Sequence, residues 1–123
     1  MRTSIVARLR EAGASFAYLF GSQAEGRAGP TSDIDVAAWF GRRAEPIAAT
    51  HGLPDTVDLV VLDTAGLEIA GRVAMYGRLL FEDDQVARVR WEATTRKIYA
   101  DERPRIDQAR RDFVTGAVAR GRR

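Results

Sequence analysis

Gly21-Ser22 and Asp33-Ile34-Asp35 are the residues whose types and spacing can do chemistry, and ten residues separate the two groups. The Gly-Ser pair follows the apolar run Ser15–Phe20. A strand that ends in Gly-Ser and turns into a helix leaves free backbone N–H groups and a hydroxyl at the positive helix end, where phosphate oxygens bind well. Gly21, lacking a Cβ, lets the backbone come close to a ligand. Ser22 is a good N-cap for a short helix running to Gly26. The two aspartates alternate with Ile34 and Val36. In a strand the carboxylates therefore share one face and the apolar pair shares the other. Converging carboxylates repel, and a divalent cation relieves the conflict. Mg²⁺ commonly binds through one or two carboxylates plus the phosphates of a substrate. Taken singly, a Gly-Ser turn is an ordinary loop and an Asp-x-Asp an ordinary solvated pair. Brought together at two strand ends across the loop Arg27–Pro30, they describe a site for a metal-bound nucleoside triphosphate.

A third carboxylate is expected from the next strand, Val57–Leu62, which has one charge, Asp58, among five apolar residues. A charge inside a buried strand is costly unless it is paired or bound to metal, which makes Asp58 the best third ligand. The alternative is an edge-strand aspartate facing water. Asp63-Thr64 stands just before a helical stretch, so Asp63 is expected to cap that helix.

These residues carry a resemblance. Gly-Ser, ten residues and Asp-x-Asp, in the form FGSQAEGRAGPTSDIDV with a later VDLVVLD, is similar to the signature of the polymerase-beta-like nucleotidyltransferase superfamily. Its smallest members are the minimal nucleotidyltransferases, among them the MntA antitoxins paired with HEPN-domain toxins. The resemblance spans about residues 1–82 and the general pattern of a C-terminal helix. It implies that Gly21 and Ser22 hold triphosphate oxygens, and that Asp33, Asp35 and Asp58 bind two Mg²⁺ and carry catalysis. It also implies ATP as the donor substrate and a HEPN-domain toxin as the partner, with AMP passing to a tyrosine of that toxin. One position departs: Glu25 stands where many relatives carry Arg, with Arg27 two residues later.

Length sets bounds. A chain of 123 residues is one domain with a real core. It is expected to divide into a catalytic core over 1–82 and a helical segment over 83–123. No second domain is foreseen to shape an acceptor pocket, which points to a macromolecular acceptor. Two alternatives remain: an antitoxin that neutralises by contact alone, and a small-molecule nucleotidyltransferase of the aminoglycoside-modifying type. The chain has no cysteine, hence no disulfide framework, thiolate metal site or cysteine nucleophile. No apolar run reaches membrane-spanning length. The polar start MRTSIVARLREAG does not read as a signal peptide, so a cytoplasmic protein is expected.

The elements that must position the site are read more coarsely. The fold class is α+β, a small mixed sheet over Phe16–Phe20, Asp33–Phe40, Val57–Leu62 and Arg78–Phe81, backed by helices on one face with the carboxylate face open. The stretch MRTSIVARLREAG reads as an amphipathic helix with Ile5, Val6, Leu9 and Ala12 inward. A short helix is expected at Glu45–His51, and another at Thr64–Met75 with Gly77 as its C-cap. His51, the single histidine, reads as a helix-end or loop residue. Residues 83–120 are expected to be helical and broken near Pro104. Trp91, Thr95 and Ile98 should share a face, and Ile106, Ala109, Phe113 and Ala117 form a second stripe. Residues 1–102 carry a net charge of −3 and residues 103–123 a net +5. Either the stripe and its arginines meet a partner, or they pack on the sheet and face water.

Overall fold

The computed structural model describes residues 2–21, 34–41 and 52–121, with side chains over 3–21, 34–41 and 52–116. In chain order the elements are α1 (Arg2–Glu11), β1 (Phe16–Phe20), β2 (Ile34–Trp39), β3 (Val57–Val61), α2 (Leu67–Tyr76), β4 (Arg78–Glu82) and α3 (Gln85–Gly121). The four strands form one sheet in the order β3-β2-β1-β4. β1 runs antiparallel to β2 and β4, while β2 and β3 are parallel.

Alternation along the strands divides the sheet into two faces. Ala17, Leu19, Val36, Ala38, Val57 and Phe81 point to one, where Ile5 and Leu9 of α1 cover them completely enough to be fully buried themselves. Val6 and Ala12 are partly buried beside them, as the helix pattern required. Phe16, Tyr18 and Ala37 point to the other face and meet Val73 of α2 and Ala87 and Trp91 of α3. Phe16 stacks on Trp39 at 5.4 Å between ring centroids. The sheet is thus covered on both faces, which corrects the expectation of helices on one face only. The reason lies in the strand residues: aromatic side chains at Phe16 and Tyr18 are as apolar as the α1-facing set, and each set needs its own cover.

Helix α2 ends at Gly77, whose N–H donates to the Val73 carbonyl at 2.8 Å. α2 and α3 lie against each other at Gly71: a Cβ there would stand 2.2 Å from the Tyr99 ring. Asp84 caps α3, accepting from the Ala87 N–H at 2.9 Å. α3 then continues through Pro104 without a break, contrary to expectation. One proline removes one intrahelical bond and opposes the helix by about 3 kcal/mol, and the turns on either side keep theirs. The inward face of α3 is Trp91, Thr95 and Tyr99, at spacings of four, with Thr95 and Tyr99 both buried. Ile98 lies outside that face and is 46% exposed. Tyr99 takes its place because Gly71 of α2 leaves room for a ring.

A polar network ties α3 to the sheet. The buried Tyr18 hydroxyl donates to Glu92 Oε1 at 2.5 Å. Glu92 Oε2 also faces Arg88 at 3.2 Å and Arg96 at 3.5 Å. Arg88 pairs in turn with Glu82 of β4. Arg96 Nε donates to the Ala74 carbonyl of α2 at 2.7 Å. Burial first, and then the bond to Glu92, push the Tyr18 hydroxyl well above the ordinary tyrosine range. The expected helix at Glu45–His51, with His51, lies outside the described residues.

Candidate active site

β1 ends at Phe20, and Gly21 follows with φ +70. That left-handed conformation is strained for any residue with a Cβ. Gly21 is needed for space as well. A Cβ there would stand 2.5 Å from Oδ2 of Asp35 and 3.4 Å from its Cγ. The turn after β1 therefore lies directly on the carboxylate of β2. Its cause is the register: Phe20 is opposite Asp35 in the antiparallel β1–β2 pair.

The parallel β2–β3 pair sets Asp35 beside Asp58. Val36 and Ala38, and on β3 Val57, pack against α1, with Leu59 and Val61 beside them. Asp35 and Asp58, one residue out of phase, therefore share the opposite face, together with Ala37 and Val60. α2 and α3 cover that face over Phe16, Tyr18 and Ala37. Asp35 is only partly buried and Asp58 is exposed on β3, the sheet's edge strand. The structure thus brings Gly21, Asp35 and Asp58 together. Ser22 and Asp33, with the expected Ser22 helix and with Glu25 and Arg27, lie outside the described residues.

Asp58, expected as a charge inside a buried strand, stands elsewhere. It is not a charge in a buried strand needing rescue, because β3 is an edge and Asp58 faces water. Its nearness to Asp35 comes from strand register alone. Asp63, expected as the cap of α2, stands elsewhere too. The N-cap of α2 is Gly66, without a side-chain cap. Asp63 instead accepts from the Phe40 N–H at 2.9 Å and the Gly41 N–H at 2.7 Å. It fastens the chain leaving β2 to the end of β3, which steadies the strand that carries Asp35. No spacing signal could have revealed this bond, since its partners lie 22 and 23 residues apart.

Among the described residues no three carboxylates or imidazoles gather into a metal cluster. Asp35 and Asp58 supply two hard oxygen donors on neighbouring strands, which suits a cation such as Mg²⁺. Gly21 yields its side-chain space to one of them, so the backbone after β1 lies close to that carboxylate. In donor chemistry the Asp35 and Asp58 carboxylates fit a divalent cation.

Residues 4–86 match the polymerase beta nucleotidyltransferase family, and the chain belongs to that family. No curated protein sequence matches it. Among solved structures, it is similar to a chain in a crystal structure of a toxin–antitoxin with AMP-PNP: 27% identity, 88% of this chain and 97% of that chain covered, TM-score 0.63. It is also similar to a chain from the tri-AMPylated Shewanella oneidensis HEPN toxin in complex with MNT antitoxin: 25% identity, 88% and 94% covered, TM-score 0.57. An MntA toxin–antitoxin variant shares the fold at 23% identity, with 89% and 98% covered and TM-score 0.69. Among the described residues no helix is long and apolar enough to cross a membrane.

Proposed function

We propose that this chain transfers AMP from ATP to a tyrosine of a HEPN-type toxin and thereby silences it. The observation that carries the reading is Gly21 at positive φ against Asp35, with Asp58 in register alongside, in a chain of the nucleotidyltransferase family. Support for donor and partner comes from similarity to chains in the AMP-PNP toxin–antitoxin structure and the tri-AMPylated HEPN toxin complex.

In this reading the backbone N–H groups of the Gly21-Ser22 turn and the Ser22 hydroxyl hold the β- and γ-phosphates of ATP. Asp33, Asp35 and Asp58 would hold two Mg²⁺ ions, which neutralise triphosphate charge and acidify the acceptor hydroxyl. The phenol oxygen forms a bond to the α-phosphorus while the bond from that phosphorus to the β-phosphate bridging oxygen breaks. Pyrophosphate leaves, and the phenol proton passes to the Asp58 carboxylate and on to water. Asp63 keeps β2, and so Asp35, in line through its bonds to Phe40 and Gly41. Exposure of Asp58 at the sheet edge suits a large acceptor approaching from solvent.

The test incubates the chain with labelled ATP and the protein encoded by the adjacent reading frame. The expected product is that protein heavier by one or more AMP units, dependent on added Mg²⁺. Asp33→Asn with Asp35→Asn should abolish transfer. Neutralisation that persists in the double variant would make the chain a contact antitoxin instead.

A further inference from the structure

Beyond its contact with α2, helix α3 presents apolar side chains that nothing among the described residues covers. Phe113 is 70% exposed and Val114 53%. Ile106, about two helical turns before Phe113, is partly exposed. Arginines flank them: Arg103, Arg105, Arg110 and Arg111. Arg110 pairs with Glu68 at the start of α2, which directs this part of the helix along one course. The other three make contacts within the helix: Arg103 to Asp107 at 3.8 Å and over the Tyr99 ring at 6.0 Å, Arg105 to Glu102 at 3.7 Å, and Arg111, which donates to Gln108 at 2.8 Å. Exposed pairs of this kind hold a helix weakly.

We propose that α3 from residue 103 onward is a docking arm for a partner protein, whose surface offers an apolar socket for Phe113 and Val114 within a rim of carboxylates. The occupant follows from charge: residues 103–123 carry a net +5 against −3 for the rest of the chain, so an acidic surface is drawn to this end. An aromatic and aliphatic centre with an arginine rim is the usual anatomy of a protein interface. RNA is the poorer match. Asp107 and Asp112 stand among the arginines, Asp107 is already engaged by Arg103, and a phosphate track would meet both carboxylates. Trp91 lies apart from this surface, packed on Phe16 and Tyr18 at 5.8 and 5.7 Å between centroids.

The proposal rests on the function above only in identifying the partner with the acceptor protein. The probe is the adjacent reading frame's product, with binding to the purified full chain measured by calorimetry. Phe113→Asp with Val114→Asp should weaken binding about 30-fold or more. Its melting temperature and its affinity for ATP should match the wild type. Arg103→Glu with Arg111→Glu should slow association and reduce its salt dependence. Wild-type affinity in the Phe113/Val114 variant overturns the arm while leaving AMP transfer intact. Binding lost in that variant, with no AMP transfer by the wild type, upholds the arm and defeats the functional reading. No complex with the wild-type chain overturns the arm. So does self-association, or RNA retention, that the same substitutions abolish.

Discussion

Asp35 occupies the space that a side chain on Gly21 would need: a Cβ there would stand 2.5 Å from Asp35 Oδ2. The turn proposed to hold phosphate and the carboxylate proposed to hold metal are one packed unit. Gly21→Ala must both leave the left-handed conformation at φ +70 and push the carboxylate aside. It should cost about 1–2 kcal/mol of stability and reduce transfer far more than that loss explains. Urea denaturation beside an initial-rate assay checks both.

Asp58 is exposed, so Asp58→Asn should leave folding within about 0.5 kcal/mol of wild type. If Asp58 takes the acceptor proton, the turnover rate should fall about 10²–10⁴-fold with ATP affinity much less affected. Separate measurement of ATP binding and single-turnover transfer distinguishes this from loss of substrate binding. An active Asp58→Asn protein would remove Asp58 from the mechanism.

Tyr18→Phe deletes the bond to Glu92 while keeping the ring against Phe16 and Trp91. Glu92 retains Arg88 and Arg96, so the expected loss is about 1–2 kcal/mol. Burial raises the Tyr18 pKa in the fold above its unfolded value of 10.0. The folded state therefore holds its proton more tightly, and this contribution is complete below about pH 10 and declines as pH rises beyond it. Tyr18→Phe should flatten the alkaline side of the stability profile, measured by denaturant melts between pH 8 and pH 11.

Gly71→Ala tests the α2–α3 contact. Helix propensity alone favours alanine by about 1 kcal/mol. The new methyl would meet the Tyr99 ring at 2.2 Å, and overpacking of that kind costs about 1–3 kcal/mol. A net loss of stability by thermal melting is expected, and pairing with Tyr99→Leu should restore most of it.

What the sequence determined by itself was local. Phe16–Phe20 and Val57–Val61 are legible as strands because short apolar, β-favouring runs end in turn residues. Ile5 and Leu9 are legible as an inward helix face from their spacing. The Gly21 turn and the aspartate pair stand out because glycine and carboxylates are costly choices beside a strand unless a ligand or a close approach requires them. The closeness of Asp35 to Gly21 could be expected from so short a connection, but its form, a carboxylate filling the space of the absent Cβ, could not.

The tertiary structure decided what depends on partners distant in the chain. Asp63 reads locally as a helix cap, but bonds to Phe40 and Gly41 across the strand ends. Ile98 and Tyr99 are equally apolar by position, and only Gly71 on another helix selects Tyr99 for burial. Pro104 predicts a break by its own chemistry, yet the helix passes through it. Asp58 approaches Asp35 through parallel register on an edge strand, a pairing set by how two separate apolar faces meet α1. Periodicity assigns a residue to a face of its own element, whereas the opposing surface is supplied by chain assembled from elsewhere, so burial, register and hydrogen-bond partners are fixed only when the elements pack.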